Sequence, residues 1–478
     1  MSRDFEVVIG LEIHVQLDTE TKMFCGCSAD YGDDEPNTHV CPVCLGLPGS
    51  LPVVNERAVE YAVKIGKALD CDIQRDTRFH RKNYFYPDLP KNFQITQYDE
   101  PINRDGEVTV EVEDDERDVG IKRAHMEEDP GSMVHKGGSI ERAQYTLIDY
   151  NRSGTPLMEI VTEPDITTPE EARALVVKLR EILEYLDVFD VERAGALRVD
   201  ANISISEDGE EGTRTEVKNI GSTKGVEKAL RYEITRQKNQ LKRGGEVTQE
   251  TRHYDDDRGI TVTLREKVGE KDYRYFQERD IPPLDVDDLV EEVEIPELPE
   301  ERRERFGEEY GLSGEMAEKL TSRKAVADLF EDVAEEVSVS AASTWIADEL
   351  LRELNYRDLD VGEVDVDEFL FLLSLVEDDE ITDRNAVDVL RTNLDEDRSP
   401  REIVEDEGML KAGEDEASAA VESVLEENGD AVDDYLSGDE GSVNYLVGQV
   451  MQETGGSADP GDVNRILREK LNEIEPEQ

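Results

Sequence analysis

The chain has 478 residues, with 117 acidic side chains against 54 basic ones and a formal net charge of −63. That length exceeds one ordinary domain, so two to four units are expected. No apolar run reaches the length of a membrane span and the start MSRDFEVVIG lacks signal-peptide order, which points to a soluble, cytoplasmic protein with no membrane role. The acids run through periodic Leu/Val-bearing segments instead of forming a block, and no calcium-loop spacing occurs; a disordered acidic tail and a calcium store are both disfavoured.

Along the chain, Phe5, Val7, Ile9, Leu11, Ile13, Val15 and Leu17 alternate with Gly10, Glu12, His14 and Gln16, the pattern of a half-buried strand. Glu12 and His14 then project from its open face, roughly 7 Å apart. Next come Cys25-Gly-Cys27 and Cys41-Pro-Val-Cys44, separated by thirteen residues that include Gly32, Pro36 and Asn37. Two close thiol pairs on turn-forming loops match a tetrahedral Zn–S₄ site, structural because four ligands leave no open position; unligated or redox thiols are the alternative. Cys71 stands alone and reads as core. In KRAHMEED, His125 and Glu127 share a face, while Glu128 precedes the Asp129-Pro130-Gly131 break. Gly137-Gly138-Ser139 reads as a loop, too short for an amidase signature. Glu159 opposes Met158 and Ile160; Arg198, Asp200 and Asn202 share a face, and so do Arg214, Glu216 and Lys218. Such a polar face suits a metal and a phosphate. Solvent-facing alternation explains the same pattern, and spacing alone leaves both readings open.

The stretch Lys224 to Arg243 reverses the general acidity, with Lys224, Lys228, Arg231, Arg236, Lys238, Lys242 and Arg243 against Glu227 and Glu233. It reads as a helix ending at Gly244-Gly245. Phosphate contact, pairing with a partner protein and a solvated basic face all fit it. From about Pro296 apolar residues recur at helical spacing, as in AVADLFEDVAEEV and STWIADELLRELN, and a further shift follows Ser399-Pro400. The expected fold is α+β: a β-rich body with an open antiparallel sheet over residues 1–292, an all-helical middle over 293–404 and a small helical tail over 405–478.

The ordered motifs VVIGLEIHVQLDTETKMFCGC, RKNYFYPDLPKNFQITQYDEPI, HMEEDPG, YNRSGTPLMEIVTEPDI, LRVDANISI and TEVKNIGS cover most of the first 290 residues. Together with ITDRNAVDVL, SPREIVEDEG and YLVGQVM, they resemble the B-subunit family of tRNA-dependent amidotransferases. The resemblance implies a cradle holding ATP and Mg²⁺, a helical domain, and a YqeY-like tail that grips tRNA. It implies the conversion of mischarged Asp-tRNA(Asn) or Glu-tRNA(Gln) through an acyl phosphate. Ammonia would come from glutamine by way of an amidase-type A subunit, and a small C subunit would complete a heterotrimer. Carried over by position, Glu12, His14, Glu128 and Glu159 fall at the Mg²⁺. Strand parity favours Glu127, but the Pro-Gly break weakens parity there. Lys82 falls near the reacting phosphates, with Arg198 and Lys218 also on the nucleotide; Asp200 and Glu216 join Glu12 and Lys82 as catalytic positions. Neither chemical step needs a protein nucleophile, and no G-x-x-x-x-G-K-[ST] phosphate loop is present, so positioning and charge neutralisation must suffice. In QETGGSADP, Gln452, Gly455 and Ser457 stand where the family carries lysines, which shifts any phosphate contact there to the backbone amides of Gly455-Gly456.

Self-repulsion on this scale is tolerable where salt shortens the Debye length to ~3 Å, so the charge points to a high-salt cytoplasm, which together with the resemblance implies a halophilic archaeal source. The unfolding midpoint should therefore rise between dilute buffer and molar KCl; a midpoint indifferent to salt would contradict an acid-rich, salt-adapted surface.

Overall fold

A computed structural model describes residues 5–32, 34–113, 115–136, 143–193, 195–207, 212–266, 273–396, 398–437, 439 and 441–474. Gly137-Gly138-Ser139 therefore lies outside the described residues. The chain divides into two compact units, Met1–Pro299 and Glu300–Gln478.

In the first unit the alternating N-terminal segment is strand β1 (Phe5–Gln16), followed by helix α1 (Glu56–Ala68). Short strands β2 (Asp72–Ile73), β3 (Asp76–Thr77), β4 (His80–Asn83) and β5 (Phe93–Thr96) precede the long pair β6 (Asn103–Val112) and β7 (Asp115–Glu128). Then come β8 (Ser132–Lys136), β9 (Tyr145–Asp149), β10 (Pro156–Thr162) and helix α2 (Pro169–Tyr185). The unit continues with β11 (Leu197–Glu207), β12 (Thr215–Ile220), helix α3 (Thr223–Lys242), β13 (Glu250–Asp255) and β14 (Ile260–Glu266). Two short strands, β15 (Phe276–Gln277) and β16 (Leu284–Asp285), complete it. Twelve of these form one open sheet in the order β14-β13-β12-β11-β1-β10-β7-β5-β4-β15, with β6 and β2 branching from β7.

The sheet is mixed, not purely antiparallel as the sequence suggested: β12 and β13 run parallel. The cause is local. Parallel neighbours need a crossover, and α3 provides it, starting at the Ser222 cap and ending before Gly244, which takes φ +76°. Thr168 and Glu171 form a reciprocal capping box at the start of α2, with Pro169 in its first turn. Leu175, Val176, Leu179, Ile182 and Leu183 of α2 join Ile9, Leu11, Ile13 and Val15 of β1 in one core. The helices thus cover the apolar face of the sheet and leave its polar face uncovered by them. On α3, Arg231 is committed to Glu170 and Glu227, and Arg236 to Glu233 and Glu250. Lys224, Arg243 and Gly244 at its two ends are exposed.

The second unit is helical apart from an isolated bridge between Ile381 and Leu410 among its described residues. Val421, Val443, Leu446, Val450, Val463 and Leu467 make a separate core near its end. Lys411 bonds Asp379 at 2.8 Å, and Thr382 donates to the Gly456 carbonyl at 3.0 Å, joining this part to the preceding helices. Gly455 and Gly456 hold positive φ, and their amides donate to the carbonyls of Gln452 and Met451. Those amides cap a helix, so they are not free to hold a phosphate as the sequence suggested. No described helix is long and apolar enough to cross a membrane.

One buried charge organises the second unit. Glu353 is 5% exposed, and it accepts from Arg391 at 3.0 Å, Arg357 at 2.8 Å and Arg352 at 3.2 Å. The Arg391 bond, with the other two arginines, lowers its carboxyl from 4.5 to about 2. Because the folded value lies below the unfolded one, the stabilisation is complete above pH about 4.5 and is lost as pH falls through about 2. Glu353→Gln should lower stability near neutral pH by about 1–3 kcal/mol and flatten the acid limb of a denaturation profile in that window at fixed KCl.

Candidate active site

Register across the sheet turns the separate polar alternations into one surface. His14 lies opposite Glu159 on β10 and Arg198 on β11, and Glu12 lies opposite Asp200. Glu159 in turn faces His125 on β7, and Asn202 faces Glu216 on β12. Two groups of potential metal ligands result: His14, Glu127 and Glu159, and beside them Glu12, Asp200 and Glu216, with ligand atoms inside each group within 4.8 Å of one another. In the first, His14 Nε2 is 3.7 Å from Glu159, while His125 Nε2 lies 3.5 Å from Glu127 and 3.6 Å from Glu159. In the second, Lys218 Nζ sits 2.6 Å from Asp200 and 2.9 Å from Glu216, and Asn202 donates to Glu12 at 2.9 Å. Lys82 Nζ approaches Glu127 at 4.0 Å and lies over the Tyr273 ring at 5.4 Å.

The electrostatics show a site short of positive charge. Burial raises the Glu12 carboxyl, and Glu159, Asp200 and Glu216 raise it further against the partial relief of Lys218. Burial would lower His14, yet Glu159, Asp200 and Glu127 outweigh it and raise the imidazole. Burial opposes ionisation of Glu159 as well, but His125, His14 and Lys82 hold it well below the usual carboxylate range. Burial also works against Lys82 and Lys218, and their acidic neighbours raise both in spite of it. Carboxylates gathered in this way, beside an imidazole, fit a hard divalent cation such as Mg²⁺.

Residues 7–292 match the family described as the GatB/GatE catalytic domain, and residues 328–471 match the GatB domain. This chain belongs to the GatB/GatE family. It is similar to the B subunit of aspartyl/glutamyl-tRNA(Asn/Gln) amidotransferase from Halobacterium salinarum, 61% identical over 486 residues with 98% of each chain covered. The protein of the same name from Natronomonas pharaonis is 61% identical over 482 residues, covering 97% of each chain. That from Methanosarcina barkeri is 51% identical over 490 residues, covering 97% of this chain and 98% of its own. Membership makes the chain part of an amidotransferase enzyme.

For this GatB/GatE chain, the polar face brings together Glu12, His14, Glu159, Asp200, Glu216, Lys82 and Lys218. It does not bring Glu128. That carboxylate turns away to Lys91 and to the Ile95 amide, and Glu127 stands with His14 and Glu159. From Arg123 to Glu128 strand β7 pairs with β10 without a register shift, so parity holds up to the Pro-Gly break. Arg198 is engaged with buried Asp129 at 2.7 Å, which also accepts from Gln16 at 2.7 Å. Sequence reasoning missed Gln94 and Thr96, which donate to Glu127 at 2.7 and 2.6 Å; their parity in NFQIT would have exposed them. It also missed Tyr84, two residues from Lys82, and Tyr273 and Tyr275, which only the pairing of β4 with β15 brings close.

The four cysteines converge in a cluster of their own. Cys25, Cys27, Cys41 and Cys44 place their sulfurs within 4.8 Å of one another, with Cys41 and Cys44 at 3.8 Å. A tetrahedron with Zn–S bonds of about 2.3 Å has edges of about 3.8 Å, so the set can hold a structural zinc. The Cys25 hydrogen bond draws the Cys44 thiol down to about 5 against the effect of burial, and the same bond, together with burial, pushes Cys25 up. Lys22, fully buried, is anchored to the carbonyls of His39 at 2.7 Å and Tyr150 at 3.3 Å. Chain purified without chelator should carry about one zinc, and Cys44→Ser should lose it and melt earlier. Elemental analysis with a thermal scan tests both; zinc-free wild-type protein would remove the assignment.

Proposed function

We propose that this chain is the ATP-using component of a tRNA-dependent amidotransferase that converts Asp-tRNA(Asn), Glu-tRNA(Gln) or both to the amidated forms. The observation that carries this reading is the pair of adjoining carboxylate groups on one open sheet face, flanked by Lys82 and Lys218. In the reaction, an oxygen of the substrate's side-chain carboxylate attacks the γ-phosphorus of ATP and ADP leaves. Ammonia then attacks the acyl carbon of the acyl phosphate; inorganic phosphate departs with the bond pair and one proton passes to a base.

Each residue has a role that its surroundings support. His14, Glu127, Glu159 and Glu12 would hold Mg²⁺, which when bound neutralises phosphate charge. Lys82 extends toward Glu127 from strand β4, placed to balance negative charge at the transferring phosphoryl. Lys218 holds Asp200 and Glu216 adjacent through its ion pairs to both, and these two carboxylates are the bases available to the attacking amine. Arg198 acts at one remove, by fixing Asp129 and, through it, Gln16.

The remaining organisation belongs to the same reading. The β-rich cradle of residues 1–292 carries the chemistry; the helical domain over 293–404 and the YqeY-like tail over 405–478 hold tRNA. Ammonia comes from glutamine through an amidase-type A subunit, and a small C subunit makes up the heterotrimer in a salt-rich archaeal cytoplasm. The chain alone should then lack glutaminase activity. Co-expression with both partners, followed by assay of each mischarged tRNA with ATP and glutamine, tests the whole. In that assay Glu12→Gln should cut turnover at least about a hundredfold with an unchanged circular dichroism spectrum; near-normal turnover removes Glu12 from the mechanism.

A further inference from the structure

Strand β13 delivers one side chain to the candidate site from the far end of the α3 crossover. Thr251 lies opposite Glu216 in the parallel pairing of β13 with β12. It is 1% exposed and donates its hydroxyl to Glu216 Oε2 at 2.9 Å. We infer that Thr251 is a positioning residue for the amidation step, aiming the Glu216 carboxylate at the attacking amine, a role that rests on the reading of Glu216 as a base proposed above.

Three observations carry it. The first is that the two oxygens of Glu216 are held from two different strands. Lys218 of β12 approaches Oε1 at 2.9 Å, and Thr251 of β13 bonds Oε2. The last torsion of a glutamate is broad, so a single donor leaves the carboxylate plane room to turn, whereas two donors fix it. A base must meet its proton at hydrogen-bonding range, and a plane set beforehand has its lone pairs aimed before the amine arrives.

The second is a division of labour between the donors. Lys218 also sits 2.6 Å from Asp200, so its position answers to two carboxylates and does not set Glu216 alone. A threonine hydroxyl has one proton to donate, and that of Thr251 goes to Glu216. Being neutral, it orients a carboxylate meant to accept a proton without placing a second cation beside it.

The third is anchoring. Glu250 and Arg252, the neighbours of Thr251, project from the other face of β13 into a buried set of charges under α3. Arg252 donates to Glu250 at 2.8 Å, to the Thr263 hydroxyl at 2.7 Å and to the Thr261 carbonyl at 2.7 Å. Glu233 of α3, fully buried, accepts from Thr261 at 3.0 Å and pairs with Arg236 at 2.6 Å. Against apolar residues of similar volume, buried ion networks add little stability, and their best-attested use is to fix register. The pairing of β13 with β14 shifts register between Thr251 and Arg252, an irregularity of the kind that re-aims a side chain. A slip of one residue would turn Arg252 toward Glu216 and put Thr251 beneath the helix; the network opposes that slip.

The test is transamidation by the assembled enzyme in molar KCl, with ATP and with ammonium chloride in place of glutamine, for wild type, Thr251→Val, Thr251→Ser and Glu216→Ala. Thr251→Val keeps the shape of the side chain and removes the hydroxyl; should it not fold, Thr251→Ala removes the same hydroxyl without adding bulk. In the hydroxyl-free variant kcat should fall about tenfold, with KM for ATP and for aminoacyl-tRNA within about twofold of wild type. Thr251→Ser should recover most of the loss. In the Glu216→Ala background the same change should cost less than about twofold, because it acts through Glu216. Normal kcat without the hydroxyl overturns the assignment, as does a full second loss in the double variant or a defect that Thr251→Ser does not rescue. Glu216→Ala with normal turnover sinks the reading of Glu216 as a base. An impaired Glu216→Ala beside a normal Thr251→Val sinks the positioning role alone, which separates the two failures.

Discussion

Like charges held close together on a rigid surface govern this molecule. Strand β1 buries Ile9, Leu11, Ile13 and Val15 against the helices, and the two-residue period then forces Glu12 and His14 onto the other face. A slip of one residue would bury the carboxylate and expose the isoleucines, so the core fixes the register and the register fixes the site. Antiparallel neighbours add Glu159 and Asp200 directly opposite. The hydrophobic packing on one side thus imposes electrostatic crowding on the other. Burial and the neighbouring acids raise the Glu12 carboxyl there, and the surrounding acids raise His14 and both lysines against the effect of burial. A rigid, negatively biased face of this kind suits a divalent cation, whose charge offsets that of the carboxylates.

Much of this was legible beforehand. Alternation in Phe5–Leu17 gave the strand and its polar face, and the spacing of Cys25, Cys27, Cys41 and Cys44 gave a cluster whose sulfurs do converge. The α+β class and the basic helix with its glycine stop also followed from periodicity and turn chemistry. Convergence was not legible, because it depends on which strands are neighbours: nothing local to Lys82 reveals that Glu127 and Tyr273 come to it from distant stretches of chain. The choice between Glu127 and Glu128 shows the same limit from the other side. Parity along β7 pointed to Glu127, and the expected disturbance at Pro130-Gly131 begins only after the strand has ended.

Charge scarcity shapes the rest. With acids so abundant, many of the arginines that help hold the fold are drawn into local pairs: Arg236 with Glu233 on α3, Arg198 with Asp129 beside the site, three arginines around Glu353 in the helical unit.

The parallel pairing of β12 and β13 has a consequence for how the site comes into being. Glu216 accepts from Thr251 on β13 at 2.9 Å, and β13 reaches its place only after the whole of α3 has been made and folded back. Glu12 leaves the ribosome nearly two hundred residues ahead of its neighbours on β11 and β12. Non-local pairing of this kind is slow, because chain entropy is lost before the contacts form. During synthesis the N-terminal strand must wait with its carboxylate and imidazole unmatched. Assembly of the polar face is then a late event, and a chain stalled before β11 would present a strand edge in need of a partner rather than a complete site.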